Sequence, residues 1–421
     1  VRATDGGGPS FRKVPRTGVI YVMTEAARRG FRYGHPEWVN LGQGAPETGD
    51  LPGALERITR IELAPESYEY APVDGLPALK DAVAQLYNAR YRRGLKSQYS
   101  AENVAISSGG RAGLTRIAAC LGGVHLGHLL PDYTAYEELL DVFRAFIPIP
   151  IVLDRDSGFS LSADRLRNEI VGKGLGAMLL SNPCNPTGHL LRGGAMRAWV
   201  EQCRELHCWL VLDEFYAHYL YGDAVRQDGP ACSAARWVED VDKDPVVVVD
   251  GLTKNWRYPG FRLSWTVGPK DVIERVASAA SFLDGGPPHP LQRAVLPLLE
   301  PAAADQEARA IQAAFGAKRE LVVSRVRGMG LGLDVAPTGS FYAFVSTDQM
   351  PENLRDGHAF FLAALDRNVI VVPGEFFDVN PGRRRSHIPS RLRGTLRISF
   401  GPDMESVQRG LDRLDGLIRS A

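Results

Sequence analysis

The sequence predicts an α/β fold: a large unit with a mostly parallel sheet flanked by helices, followed by a smaller α+β unit. Three observations carry this. Four short, continuous apolar runs alternate with helix-like stretches, the pattern of strands buried on both faces. Each run gives way at once to glycine or polar residues, as strand ends do where they face a ligand crevice. From about residue 305 the texture changes to one long helical pattern and then separated strands and helices.

Taken in order, Val104-Ala105-Ile106 leads into SSGGRAGL and Ala177-Met178-Leu179-Leu180 into SNPCNPTG. Trp209-Leu210-Val211-Leu212 leads into DEFYAHY, and the run from Val246 to Val249 into DGLTK. Helices are expected over 111–121, 160–171, 194–206 and 271–282. In a parallel sheet, ligands bind outside the carboxyl ends of the strands, so the residues after these runs are expected to converge on one crevice. Further on, a helix is expected over 302–327, a strand over 339–345, a helix over 357–367, strands over 369–372 and 396–400, and a last helix from Met404. The expected division is an N-terminal arm with part of the small domain (1–45), a large domain (46–305) and a small C-terminal domain (306–421). The opening VRATDGGGPS reads as a disordered arm without a signal core.

Bulk properties exclude several classes. The chain has 421 residues, enough for two domains with ample core. Forty-nine basic and 49 acidic residues cancel, so nothing global attracts nucleic acid or an anionic membrane. No stretch approaches the roughly 18–20 apolar residues that span a bilayer. The five cysteines (Cys120, Cys184, Cys203, Cys208, Cys232) form no CxxC pair, and His189 and His207 complete no zinc spacing. No metal site is expected, and scattered thiols fit a reducing cytoplasm. There is no internal repeat. Residues 383–393, RRRSHIPSRLR, carry five arginines and read first as a solvated loop, second as a lid that attracts an anionic substrate.

The chemistry begins with Lys254, placed in a turn just past a buried run, with Arg262 eight residues on. A lysine in a partly desolvated crevice has a lowered pKa and can form a Schiff base with an aldehyde. A pyridine-aldehyde cofactor also needs a phosphate cradle, an acid opposite the ring nitrogen, a donor to the ring hydroxyl and a stacking face. Ser108-Gly109-Gly110 lies between a strand and a helix, where backbone N–H groups can approach a phosphate. Alone, it reads as a tight turn. Arg262 can clamp the same phosphate; alone, it reads as a surface ion pair. Asp213 directly follows a buried run, where a carboxylate needs a partner; alone, it reads as a helix N-cap. Tyr216 and Asn185, the latter in an N-P-x-N-P turn, can reach a ring oxygen. Tyr133 in PDYTAY can stack on a ring, or be an ordinary half-buried tyrosine.

Together SNPCNPTG, DEFYAHY, Lys254 with GFR, and RISF resemble the fold-type I pyridoxal-phosphate enzymes, in particular the class I/II aminotransferases, from about Leu41 to the C-terminus. The resemblance implies a ping-pong transfer of an amino group between an α-amino acid and a 2-oxo acid. It implies that Lys254 is the Schiff-base lysine and proton carrier. Asp213 would pair with the pyridine nitrogen, Tyr216 and Asn185 would bond the ring hydroxyl, and Tyr133 would stack. Ser108, Gly109, Gly110, Thr253 and Arg262 would surround the phosphate, with Arg111 beside them or turned to the substrate. Arg397 would hold the substrate α-carboxylate near Gly44. Tyr70 would reach the phosphate of a neighbouring subunit, which makes a homodimer the expected assembly.

The chain departs from the family pattern at Gly251 and Gly110, where relatives carry hydroxyl residues, and in the long basic connection before Arg397. A lyase or cyclase of the aminocyclopropane-carboxylate synthase type would use the same Lys254, Asp213 and Arg397. A regulator without turnover would need a DNA-binding domain, and the roughly 40 residues before Gly44 lack a winged-helix pattern. Arg111 and the 383–393 arginines hint at an acidic substrate; Tyr21, Tyr68 and Trp256 hint at an apolar one. Acidic, aromatic and unusual amino acids all remain open at this level.

Overall fold

The computed structural model describes residues 18–143 and 145–421, so the glycine-rich opening lies outside them. Its centre is a seven-stranded sheet. The strands run in the spatial order Val104–Ser107, Ser264–Val267, Val246–Gly251, Trp209–Asp213, Leu175–Ser181, His125–Leu130 and Ile147–Val152. Ser264–Val267 is antiparallel to both neighbours, and the remaining pairings are parallel. The valines at 246–249 are at most 2% exposed, which is why this strand reads as an unbroken apolar run.

The register matters for function. Asp213 lies opposite Ser181 on one side and Val249 on the other. Three carboxyl-terminal strand ends therefore stand level, and the polar residues after them leave the sheet at one edge.

The four helices expected around this sheet form as Gly110–Cys120, Ala163–Lys173, Gly193–Glu205 and Lys270–Leu283. The second starts later than expected because Ser162 caps it, accepting a hydrogen bond from the Arg165 N–H at 3.2 Å. Gly174, at φ 59°, ends it in the left-handed region. Lys254 sits on a single helical turn, Leu252–Asn255, rather than in an irregular turn.

Three sheet strands were not expected from the sequence. Ile147–Val152 reads IPIPIV, and its prolines are tolerated because it is an edge strand paired only with His125–Leu130.

The later part contains the helices Pro301–Gly328, Gly357–Leu365 and Met404–Arg419. A three-stranded antiparallel sheet orders Val372–Pro373, Thr395–Ser399 and Tyr342–Ser346. The single strand expected over 369–372 divides between two sheets, because Val369–Ile370 pairs in parallel with Val39–Asn40 instead. Arg397 lies mid-strand on Thr395–Ser399, opposite Phe344 and Val372. Among the described residues no helix is long and apolar enough to cross a membrane.

Candidate active site

The strand ends bring Asp213, Asn185, Tyr216 and Lys254 together around a cavity of about 350 Å³, which Gly110, Arg111, Tyr133, Thr253 and Arg262 also line. Asp213 is 6% exposed. It accepts hydrogen bonds from the Tyr136 hydroxyl at 3.1 Å and from the Phe215 N–H at 3.4 Å. Burial lifts its pKa to about 6, against the opposing pull of those donors and of Lys254. The Lys254 amine donates to the Gly44 carbonyl. Burial lowers its pKa to about 7, with Arg262, Arg111 and Arg397 pushing the same way and Asp213 opposing them. A lysine so placed has a substantial neutral fraction near neutral pH, as a general base needs.

Arg397 approaches from the small sheet. It is 1% exposed and lies over the rings of Tyr342 and Phe377, 4.3 and 5.0 Å from their centres. It donates to Asn185 Oδ1 at 2.9 Å and to the Gly42 carbonyl at 2.5 Å, while its Nε has no partner among the described residues. Gly42 thus supplies the backbone carbonyl bonded to this guanidinium, while that of Gly44 accepts from Lys254. The Tyr216 and Tyr342 hydroxyls share a hydrogen bond of 2.8 Å. Tyr133 receives a hydrogen bond from Arg111 Nη2 at 3.0 Å.

At the other end, Gly109 and Arg262 meet. Gly109 has φ 92°, and a Cβ there would stand 2.1 Å from Arg262 Nη2. The backbone thus approaches the guanidinium as only glycine allows. The helix Gly110–Cys120 begins here, where its first N–H groups have no intrahelical acceptor. Thr253 Oγ1 is buried without a partner among the described residues. Ser108 Oγ donates to the Gly286 carbonyl at 3.2 Å. The two glycines that break the family pattern have steric causes. A Cβ on Gly110 would meet the Phe215 ring at 2.4 Å, and one on Gly251 would meet Ser264 Cα at 2.5 Å.

Tyr70 does not join this cleft and is 96% exposed. Sequence reasoning missed Tyr136, Tyr342, Gly42 and Phe215. Tyr136 stands in the same PDYTAY stretch as Tyr133, and Phe215 within DEFYAHY, so both lay within motifs already singled out. Gly42 stands two residues before Gly44 in LGQGAP, whereas Tyr342 carries no local signal, because only the folding of the small sheet brings it beside Arg397. The arginine-rich segment 383–393 lies mostly at the surface, where Arg385 pairs with Asp378 at 2.8 Å and Arg393 with Asp356 at 2.5 Å.

A family model described as aminotransferase class I and II matches residues 36–414. The chain belongs to this family. It is 27% identical over 395 residues to an aspartate aminotransferase of Streptomyces avermitilis, covering 91% of this chain and 90% of that one. It is also 27% identical over 383 residues to an aspartate/prephenate aminotransferase of Thermus thermophilus, covering 89% of each. Among solved structures, the fold is similar to that of a Thermus thermophilus aspartate aminotransferase with maleate. The TM-score is 0.77 at 24% identity, over 97% of this chain and 100% of the other. It is similar in the same degree to an aminotransferase from Mycobacterium tuberculosis, at 25% identity and a TM-score of 0.77 over 97% and 98% of the two chains.

The protein is therefore a pyridoxal-phosphate-dependent aminotransferase. The residues present fit that cofactor. The orphaned Thr253 hydroxyl, the glycine-lined approach to Arg262 and the open helix start are donors suited to a phosphate. Asp213 offers a buried acid suited to a protonated ring nitrogen.

Proposed function

We propose that this aminotransferase moves an amino group by a ping-pong reaction in which Lys254 is the base, Asp213 the cofactor's acid partner and Arg397 the anchor of the substrate α-carboxylate. The observation that carries the reading is the meeting of a lysine of pKa about 7, a buried acid and a buried arginine with an unpartnered nitrogen around one cleft. Pyridoxal 5′-phosphate supplies an aldehyde and a pyridinium ring that withdraws electrons from the carbon bearing the amino group.

The chain's own groups do the rest. Asp213 holds the proton at the ring nitrogen. Tyr216 and Asn185 would donate to the ring oxygen, and Tyr133 would cover a ring face. Ser108, Gly109, Gly110, Thr253 and Arg262 would hold the phosphate. Lys254 Nζ removes the α-proton of the amino acid and returns a proton when the 2-oxo acid of the second half-reaction is aminated. Such base catalysis contributes about 10²–10⁴-fold. Arg397 orients the substrate through its α-carboxylate, with the Gly44 backbone beside it.

Arg111 lines both the cofactor cleft and the cavity beside Arg397, and its charge suits a second carboxylate on the substrate, so we assign one half-reaction to a dicarboxylic acid. The relatives named for aspartate support this choice. The exposed Tyr70 is free to reach a neighbouring subunit's phosphate, which supports a homodimer. The five free cysteines suit the cytoplasm. Residues 306–421, which include the small sheet, form the small domain with part of 1–45 in this reading.

The test is the absorption spectrum of the cofactor-loaded protein on adding single amino acids without any oxo acid. Conversion from the aldehyde to the amine form by at least one donor, abolished in Lys254→Ala, is expected. Full turnover by Lys254→Ala would overturn the assignment.

A further inference from the structure

We infer that Asp132 is a positioning residue of this site, its one buried carboxyl setting Tyr133 and Asn185 together. This rests on the aminotransferase reading of the site and adds a residue to it. Asp132 stands before Tyr133 in PDYTAY, is 0% exposed and does not line the cleft. Its Oδ1 accepts from the Tyr133 N–H at 2.7 Å and from the Ser181 hydroxyl at 2.5 Å, and its Oδ2 from the Ser181 N–H at 3.2 Å. The Ser181 hydroxyl in turn accepts from the Asn185 N–H at 3.1 Å. One carboxyl thus holds the backbone of Tyr133 directly and that of Asn185 through a single atom.

The sheet order explains why one side chain can do both. Ser181 ends the strand Leu175–Ser181, and Leu130 ends its neighbour His125–Leu130. Asp132 follows two residues later, so its carboxyl bridges two adjacent strand ends. The backbone adds a further tie: the Asp132 N–H donates to the Phe377 carbonyl at 3.2 Å. The Phe377 ring lies against Arg397, and Asn185 Oδ1 accepts from the same guanidinium. Asp132 therefore reaches Arg397 by two routes, one through Asn185 and one through Phe377.

The energetics favour a positioning role over a stabilising one. No cation pairs with Asp132 among the described residues, and burial pushes its pKa up to about 8 against the three donors. A buried acid without a counter-charge carries a desolvation cost, so its bonds bring little net stability. What they bring is direction. Side chains that act on a bound ring must be held to within about 0.5 Å by groups whose own bonds are fixed.

The experiment compares Asp132→Ala, Ser181→Ala and, as a control, Asp244→Ala with the wild type, all loaded with pyridoxal phosphate. Asp244 is also buried, at 4% exposure, and is bonded to Arg204 and to the Glu239 N–H. Two signals are read. The visible circular dichroism per bound cofactor reports how the ring is held, and calorimetry gives the Kd of maleate. Asp132→Ala is expected to lose most of the dichroism and to bind maleate about tenfold more weakly. Ser181→Ala keeps the Tyr133 N–H bond but removes the link to Asn185, and is expected to weaken maleate about threefold. Asp244→Ala should lower the urea midpoint and leave both signals as in the wild type. If Asp132→Ala does not fold, Ser181→Ala decides. A folded variant at either position with wild-type signals would overturn the role, as would an equal shift of both signals in Asp244→Ala. A wild type that fails to bind pyridoxal phosphate or maleate would overturn the reading of the site itself, and this role with it.

Discussion

Two groups of cations in this chain look alike in sequence and differ in the fold. Arg397 is 1% exposed, stacked on two rings, and keeps one nitrogen without a partner. Arg385 and Arg393 of the basic segment are bonded to Asp378 and Asp356, and the Arg393 side chain is 69% exposed. A buried, incompletely paired guanidinium carries a desolvation cost that an arriving carboxylate relieves. A surface guanidinium already paired has little left to offer a substrate. The difference teaches that five arginines in eleven residues say less about anion binding than one arginine held inside.

The sharpest way to break this comparison is Arg397→Ala. It removes a cation that is bonded to Asn185 and lines the cavity beside the cleft. The expected loss in kcat/KM for α-amino acids is about 10²–10³-fold, from a charge-assisted contact in a desolvated site. Amines without a carboxylate should lose far less. Equal losses for both would mean that Arg397 shapes the small sheet rather than holding substrate. Arg397→Lys should recover little, because a lysine cannot form the planar fork.

Lys254 sharpens the same contrast through stability. Its pKa falls from the usual lysine value to about 7 by burial and by the neighbouring arginines. The unfolded chain therefore binds more protons than the folded one between about pH 7 and the lysine range near 10. Stability of the cofactor-free protein should rise with pH through that window, by about 1–3 kcal/mol from this residue. Urea midpoints measured from pH 7 to 10 should climb in the wild type and climb less in Lys254→Met. A slope untouched by the substitution would show that the amine is as well solvated folded as unfolded.

How much of this was legible beforehand follows a physical divide. The strands Trp209–Asp213 and Val246–Gly251 were plain because both faces are buried and the runs are continuous. Asp213 and Lys254 stood out only in combination with their neighbours, since Asp213 alone reads as a helix N-cap; both line one cleft in the fold. Ile147–Val152 was hidden by prolines that an edge position tolerates. Val369–Ile370 and Val372–Pro373 look like one strand because burial is the same in both, and only pairing separates them. Tyr342 was invisible because its role exists only once Arg397 is brought against Asn185, 212 residues away in sequence. Gly110 and Gly251 read as lost hydroxyls, yet the Phe215 ring and Ser264 leave no room for any side chain at either position.

The smallest expected effect completes the contrast. Arg393→Ala removes an exposed partner of Asp356, but the job of Asp356 lies elsewhere. Its carboxylate caps the helix Gly357–Leu365, accepting from the Ala359 N–H at 2.9 Å. That bond does not need the arginine. Arg393→Ala should leave both the urea midpoint and KM for either substrate within measurement error, whereas Asp356→Ala should cost about 1 kcal/mol of stability through the lost cap. If Arg393→Ala instead raised KM for aspartate, the basic segment would be acting on the substrate after all. Anion attraction would then have to be credited to the surface arginines as well as to Arg397.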